Sequence, residues 1–286
     1  MTAPSERTVL AIGVLDGRLS GHPLAEAWSC RRRLKATVEA AALDGIRVDA
    51  DRLVSVLIGV AEPQKDFGAM SAAMAIHARI LDPTEAAETI LWHLSEPSLF
   101  GACAAVDRAV KDGLPRSWAH AAFAAVLCQA GVTESMLVGL SPLAGADALH
   151  DGAVRGRREL DTLTLNWNRW MRLLGTRRST SRHARVLAAV VGMTDATPTG
   201  IARLFSMTSR GAAFILEELA GLGILIEASG RATWQVFIAD DMPFDGGRAV
   251  PPRPEVEVPD LAGVFAEVDR ATAAVARRLS GVCTRA

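Results

Sequence analysis

Apolar residues recur at intervals of three and four along most of the chain, which is the spacing of one face of an α-helix. Proline, glycine and helix-capping residues interrupt this pattern at short intervals. The pattern predicts helices over the following segments: Arg7–Leu19, Pro23–Leu43, Asp49–Ile58, Gly68–Leu81, Thr84–Leu94, Ser98–Lys111, Pro115–Ala130 and Ala146–Leu174. Because almost no alternating strand pattern occurs in this part, residues 1–175 are predicted to form an all-α N-terminal domain.

A different pattern begins at Thr197. Thr197-Pro198 is typical of a cap and first turn, and Thr208 offers a second cap shortly afterwards. After Gly221 and Gly223, two short apolar runs, Ile224–Glu227 and Thr233–Phe237, flank the turn signal Ser229-Gly230. With a preceding helix over Arg182–Val191, residues 181–239 are predicted to be a winged helix-turn-helix with a small β-hairpin wing.

The remaining chain divides into a linker and a last helix. Residues 240–259 contain five prolines and the pair Gly246-Gly247, which is a linker composition. Within residues 260–286, Asp260 caps a predicted helix with apolar positions at Leu261, Val264, Val268, Val275 and Leu279. This seam could pack within the chain or pair with a second copy, and we expect a homodimer.

Composition narrows the class of protein. Hydrophobic residues make up 50% of the 286 residues and charged residues 22%, which supports a packed core rather than disorder. Neither a signal-peptide core nor an uninterrupted membrane span is recognisable. The cysteines, Cys30, Cys103, Cys128 and Cys283, are scattered without paired spacing. We interpret them as reduced, small hydrophobic residues, and expect a cytoplasmic protein with no metal, no cofactor and no membrane partner.

The net charge of -1 conceals an asymmetry along the chain. Residues 1–154 carry 13 basic and 18 acidic side chains, whereas residues 155–238 carry 12 basic and 6 acidic ones. The basic segment contains the predicted helix-turn-helix. Positive charge facing phosphates is the first requirement of nucleic-acid binding, so double-stranded DNA is the expected partner. A solvated arginine surface is the alternative interpretation.

Several ordered segments resemble an alphaproteobacterial family of helix-turn-helix proteins. They are "LDGRLSGHPLAEAW" (Leu15–Trp28), "AAALDGIRVDADRLV" (Ala40–Val54), "RRELDTLT" (Arg157–Thr164), "RRSTSRHARVL" (Arg177–Leu187) and "TSRGAAFILEEL" (Thr208–Leu219). The resemblance covers about residues 10–238. It implies an N-terminal domain of unknown function joined to a C-terminal DNA-binding domain.

The N-terminal part also resembles the Fic/DOC fold distantly. The Fic active loop, His-Pro-Phe-x-Asp-Gly-Asn-Gly-Arg-x-x-Arg, corresponds here to "AVKDGLPRSWAHAAFAAVLCQAG" (Ala109–Gly131), in which Asp112, Gly113 and Arg116 match. Arg108 stands in place of the histidine that acts as general base. Pro115 stands where a glycine would offer its N–H to a phosphate. The resemblance therefore implies a Fic-like scaffold without nucleotidyl transfer.

The candidate DNA-binding residues follow from the predicted helix after Thr208. Its N-terminal end would enter the major groove, with Thr208, Ser209, Arg210 and Ala213 outward, and Phe214 at the margin. Arg210 is the residue able to bond guanine in a bidentate manner. Arg231 at the wing tip would contact a phosphate or the minor groove, and Arg182 and Arg185 would contact the backbone.

Other candidate groups are expected to be structural. The run Arg31-Arg32-Arg33 is predicted to cover a solvated helix face, and Trp167 and Trp170 are predicted to belong to the core. His120 is predicted to be a hydrogen-bonded core or surface histidine. The sequence thus favours a non-enzymatic DNA-binding transcriptional regulator whose N-terminal domain oligomerises or senses an effector. The alternatives are a Fic-type nucleotidyltransferase acting on a protein hydroxyl, and a protein–protein adaptor.

Overall fold

The chain folds into helices almost throughout. The computed structural model describes residues 5–60, 67–144, 147–175, 182–193, 196–230 and 235–242. Its helices and strands are α1 (Glu6–Leu19), α2 (Ala25–Leu43), α3 (Ala50–Leu57), α4 (Phe67–Leu81), α5 (Thr84–Leu91), α6 (Leu99–Lys111), α7 (Arg116–Gln129), a 3₁₀ turn (Pro142–Ala144), α8 (Ala148–Leu174), α9 (Arg182–Val191), α10 (Pro198–Leu204), α11 (Ser209–Gly221), β1 (Leu225–Glu227) and β2 (Phe237–Ala239). The mainly α fold class is confirmed. The predicted last helix within residues 260–286 and most of the predicted linker of residues 240–259 lie outside the described residues.

Side-chain caps fix the beginnings of several helices. The side chains of Ser5, Asp49 and Ser98 accept hydrogen bonds from backbone N–H groups in the first turns of α1, α3 and α6. Such a cap satisfies N–H groups that have no intrahelical acceptor. These helices therefore begin where the sequence places a short polar side chain before an apolar run.

Helix α7 is the centre of the helical part. It packs against α2, α4, α5 and α6, and its residues from Ala119 to Leu127 are all buried. Alanine dominates this stretch, and its small side chain lets neighbouring helices approach closely. Cys103 on α6 is buried beside this core, and burial raises the pKa of its thiol to about 12. The thiol is therefore neutral at physiological pH, as expected for a small hydrophobic residue.

Helices α1, α2 and α8 form a second tightly packed layer. Trp28 on α2 donates its indole N–H to the carbonyl oxygen of Gly156 on α8, at 2.9 Å. A Cβ atom at Gly156 would lie 3.0 Å from Leu15 Cδ2 and 3.1 Å from Trp28 Cζ2. Glycine thus permits the close crossing of these three helices.

The arginine run on α2 is not solvated, so that prediction is wrong. Arg32 is fully buried, and its Nη2 lies 3.0 Å from Glu39 Oε2 and 3.1 Å from the carbonyl oxygen of Gly139. Gly139 has φ +80°, and a Cβ atom there would lie 2.7 Å from Arg32 Nη2. The buried guanidinium is stabilised because a carboxylate and a carbonyl satisfy it.

One large cluster of buried apolar side chains extends from α1 to β2. It includes Leu15 and Trp28 of the first helices, Trp170 of α8 and Phe237 of β2. The described residues up to Met242 belong to a single compact unit. Within the described ranges, no helix is long and apolar enough to cross a membrane.

Candidate nucleic-acid interface

Helices α10 and α11 begin at the two threonines that the sequence pattern indicates, which confirms both predicted caps. Thr197 Oγ1 accepts from the N–H of Gly200, and Thr208 Oγ1 accepts from the N–H of Gly211, each at 3.1 Å. Pro198 occupies the first turn of α10, where it needs no acceptor. Helix α11 ends at Gly221, and Gly223 follows with φ +69°.

The turn between the two helices is tight. Ser206 adopts φ +50°, a left-handed conformation that residues other than glycine rarely adopt. The N–H of Met207 donates to the carbonyl oxygen of Ala202 at 2.9 Å, which closes the turn. Ala202 is buried, and α10 packs against α11. The two helices are thereby held at a fixed angle.

Helix α11 presents a clear inner and outer face. Its inner residues are Ala212, Ile215, Leu216 and Leu219, all buried. Of the predicted contact residues, Thr208, Ser209 and Arg210 are exposed, whereas Ala213 is only half-buried. Phe214 is more accessible than predicted, at 63% exposed. The outer face therefore combines two hydroxyl groups, one guanidinium and one aromatic ring at the N-terminal half of the helix.

Backbone donors add to this end of α11. The first N–H groups of a helix have no intrahelical acceptor, and those of Ser209 and Arg210 point out beyond the cap. Together with the helix dipole they favour an anion at this position. The Oγ of Ser209 and the guanidinium of Arg210 lie on the same exposed turn. This end of the helix therefore offers hydrogen-bond donors and a positive charge to an anion.

Two further arginines lie on the preceding helix. Arg182 and Arg185 are both exposed on α9, as predicted. The guanidinium carbon of Arg185 lies 5.6 Å from the centroid of the Phe205 ring in the turn. A cation–π contact of this kind limits the freedom of the arginine and keeps it beside the turn. His183 Nε2, on the same helix, lies 2.7 Å from Glu218 Oε2 and so ties α9 to α11.

Arg203 is a basic residue that the sequence analysis did not single out. It is exposed in the last turn of α10, next to the exposed Leu204. In the sequence it contributes only to the local positive charge. Its helical position was the signal that could have identified it, since it directly follows the buried pair Ile201-Ala202.

The sheet that follows α11 differs from the predicted hairpin. β1 pairs antiparallel with β2 over Leu225↔Ala239, Ile226↔Ile238 and Glu227↔Phe237. Within the described residues the second strand is Phe237–Ala239, so it begins where the predicted run Thr233–Phe237 ends, and Thr233 itself lies outside the described residues. Phe237 also pairs with Ala196 on its other side. Ala196 and Phe237 exchange two backbone hydrogen bonds, at 2.9 and 2.8 Å. The segment between α9 and α10 thus adds a third, one-residue edge to the sheet.

The loop beyond β1 is organised by one carboxylate. Glu227 accepts from the N–H groups of Ser229 and Gly230, at 2.9 and 3.0 Å, and Gly230 has φ +63°. These bonds confirm a turn at Ser229-Gly230. Arg231, the predicted wing-tip contact, lies outside the described residues.

Two adjacent aspartates after β2, Asp240 and Asp241, bind side chains of α2 and α8. Asp240 accepts from Arg169 Nη2 at 2.7 and 2.8 Å, and Asp241 accepts from Arg31 Nη1 at 2.6 Å. Asn166 Nδ2 also donates to Asp241, at 2.7 Å. All of these side chains are buried or half-buried. We call this group, Arg31, Asn166, Arg169, Trp170, Asp240 and Asp241, the aspartate clamp.

The segment compared above with the Fic loop forms the turn between α6 and α7. Gly113 has φ +107°, and Arg116 Nη2 donates to the carbonyl oxygen of Leu143 at 2.9 Å. His93 Nε2, from the α5–α6 connection, lies 3.6 Å from Asp112 Oδ2. No sequence pattern indicates this pairing, because His93 precedes α6 and Asp112 follows it. Arg116 is thus used for a structural contact.

His120 on α7 is buried but not hydrogen-bonded, which corrects the prediction of a satisfied histidine. It is 5% exposed, and within the described residues neither ring nitrogen has a hydrogen-bond partner. Burial, with a smaller contribution from the positive charge of Arg32, lowers the pKa of His120 to about 4. The ring is therefore neutral at physiological pH and behaves as a core residue.

No protein-family model matches the chain, and no curated protein is similar to it at a significant level.

Proposed function

We propose that residues 181–239 form a winged helix-turn-helix that binds double-stranded DNA, and that the protein is a transcriptional regulator and not an enzyme. The observation that carries the proposal is the outer face of α11. Its N-terminal turn exposes Ser209 and Arg210 beyond a capped helix end, with the buried face packed on α9 and α10. A recognition helix enters the major groove in this orientation.

The surrounding elements support the same interpretation. The order α9, bridge at Ala196, α10, tight turn, α11, β1, β2 is that of a winged helix. The exposed arginines Arg182, Arg185 and Arg203 lie on the two helices that precede α11. Guanidinium groups at these positions would contact phosphates on either side of the groove. Ser209 and Thr208 would donate to phosphates, and Arg210 would bond a guanine edge.

Binding to duplex DNA is the direct test. A preferred site is first selected from a random duplex library, and affinities are then measured by fluorescence anisotropy at fixed salt. Arg210→Ala should weaken binding to the selected site by about 1–3 kcal/mol and binding to random DNA by less. Arg182→Ala and Arg185→Ala should weaken both duplexes alike and reduce the salt slope by about one each. The same behaviour is predicted for Arg231→Ala at the wing.

Arg47→Ala is the matched control, because Arg47 is exposed in the connection between α2 and α3. It should leave both affinities unchanged. If none of the four arginine variants changes binding to any duplex, the segment does not read DNA and the proposal fails.

An adaptor function is the second candidate, and one observation favours it. Leu204 and Phe214 are 56% and 63% exposed on α10 and α11, so the same surface offers apolar area to a protein partner. The homodimer expected from residues 260–286 is a further proposal. Light scattering at micromolar concentration, with and without duplex DNA, measures the mass directly, and a monomer under both conditions would contradict it.

A further inference from the structure

A groove opens between the first halves of α1 and α8. It encloses about 280 Å³ and is open to solvent on one side. Its walls are residues of the two helices only: Arg7, Leu10, Ala11 and Val14 on α1, and His150, Ala153, Val154 and Arg157 on α8. The volume is at the lower end of the range for ligand sites in proteins.

The interior of the groove is apolar, and part of this apolar surface, Leu10 and Val14, lies outside the core. On α1 the core residues are Ile12, Leu15 and Leu19. Leu10 and Val14 lie one helical turn apart on a neighbouring stripe and are 69% and 38% exposed. Exposed aliphatic side chains in a concave surface lose contact with water when an apolar group fills the groove.

Two arginines, Arg7 and Arg157, border this apolar surface. Within the described residues, Arg7 and Arg157 form no ion pair with a carboxylate. Farther along the same two helices, Arg18 does pair with Asp161, at 2.7 Å. Arg7 lies in the first turn of α1, where the helix dipole adds positive potential. The first-turn acids Glu6 and Asp151 are exposed and do not line the groove.

We infer that this groove binds a small anionic amphiphile, a carboxylate with an apolar tail such as a medium-chain fatty acid. The tail would lie on Leu10, Val14 and Val154, and the carboxylate would accept hydrogen bonds from the guanidinium groups of Arg7 and Arg157. Arginine is suited to this role because its planar fork bonds both oxygens of a carboxylate. The unpaired arginines give the groove its preference for an anion over a neutral amphiphile.

The position of the groove on α8 gives the ligand an effector role. Arg157 lies twelve residues before Arg169, which is about 18 Å along the helix axis. Arg169 and Trp170 hold Asp240 in the aspartate clamp, so one continuous helix carries both the groove and the anchor of the DNA-binding segment. The effector role rests on the proposed function, whereas ligand binding does not.

Titration calorimetry with decanoate on the full chain tests the binding. Decanoate should bind one site per chain, and decanol, which lacks the charge, should bind at least about tenfold more weakly. Arg157→Glu and Leu10→Glu should each weaken decanoate by about tenfold or more. Arg158→Glu, an exposed neighbour that does not line the groove, should leave the affinity within about twofold. Circular dichroism monitors folding of all three variants.

Three outcomes would overturn the inference. They are no binding at millimolar decanoate, an affinity for decanoate in the Arg157→Glu and Leu10→Glu variants equal to that of the wild type, and binding to phosphatidylglycerol vesicles without binding to free decanoate. The duplex affinity is measured separately with and without decanoate. A change in that affinity that Arg157→Glu abolishes supports the effector role. An unchanged duplex affinity with decanoate bound overturns that role alone, and loss of duplex binding in both conditions overturns the proposed function instead.

Discussion

The indole N–H of Trp170 donates to Oδ1 of Asp240 at 2.9 Å, and this bond joins the longest helix to the end of the small sheet. Trp170 is fully buried, as predicted for a core residue. Arg169, the preceding residue, bonds both oxygens of the same carboxylate. The two residues therefore fix the end of β2 to α8 through one acidic side chain that accepts from two donor side chains.

Removing this carboxylate should destabilise the fold. Asp240→Ala leaves the Trp170 N–H and the Arg169 guanidinium without their acceptor in a largely buried position, which costs about 2–3 kcal/mol. Urea unfolding followed by circular dichroism measures the loss. Asp161→Ala is the control, because the Arg18–Asp161 pair is almost half exposed and should contribute less than about 1 kcal/mol. Equal losses in the two variants would contradict a special role for the clamp.

Stability should fall in mild acid because of His120. Its folded-state pKa is about 4, whereas the unfolded value is about 6.5. Between these two values the unfolded chain binds the additional proton, so stability is fully present above pH 6.5 and is lost as the pH falls towards 4. The difference between the two pKa values corresponds to a loss of about 3 kcal/mol in the free energy of unfolding over this pH range.

His120→Leu separates this effect from other titrating groups. Burial and Arg33 also lower the pKa of His77, so the wild-type protein loses stability for more than one reason. Urea unfolding at pH 7.5, 5.5 and 4.5 should show a shallower pH dependence in the variant. At pH 7.5 the variant should be at least as stable as the wild type, because the replaced ring makes no hydrogen bond within the described residues. An identical pH dependence would refute the assignment to His120.

Thr208 has a structural role that is separable from DNA contact. Thr208→Ala removes the cap of α11 and should cost about 1 kcal/mol, whereas Thr208→Ser keeps the hydroxyl and should cost little. Thr162→Ala on α8 is the control, since Thr162 bonds a carbonyl within its own helix and is exposed. Thermal unfolding of the three variants provides the comparison. A Thr208→Ser loss as large as that of the alanine variant would argue against capping by the hydroxyl.

Phe214 should read a thymine methyl group if α11 enters the major groove. An exposed phenyl ring four residues after Arg210 can contact the C5-methyl of thymine, which is absent from uracil. Replacing each thymine of the selected site by deoxyuridine should weaken wild-type binding at one position by about 1 kcal/mol or more. Phe214→Ala should remove that difference and leave stability within about 0.5 kcal/mol, because the ring is largely exposed. A thymine preference that persists in Phe214→Ala would exclude this contact.

Nucleotide transfer to protein is not expected from the α6–α7 turn. Arg108 and Pro115 stand at the positions of the base and of a phosphate-binding glycine, and Arg116 bonds the carbonyl of Leu143. His93 is the histidine that lies beside Asp112, so His93→Ala is tested together with Arg116→Ala. Incubation with labelled ATP and a lysate should label no target. Label that is lost in both Arg116→Ala and His93→Ala would establish the Fic-type activity.

The local elements of the fold could be predicted from the sequence. Thr197-Pro198 and Thr208 begin helices because capping depends on hydrogen bonds within one turn. Gly221 and Gly223 end α11 for an equally local reason. The outward positions Ser209 and Arg210 follow from the spacing of Ala212, Ile215 and Leu216, since a helix turns by a fixed angle per residue.

The sequence by itself thus determined the helices, their caps and the exposed residues of α11, because these depend on neighbours a few positions away. Tertiary structure alone decided that Arg31 is paired with Asp241, and that Phe237 pairs with Ala196 as well as Glu227. Such pairs join residues that are tens to hundreds of positions apart. They form only where the packed helices bring them together. A largely buried charge such as Arg31 is stable only when an oppositely charged partner lies beside it.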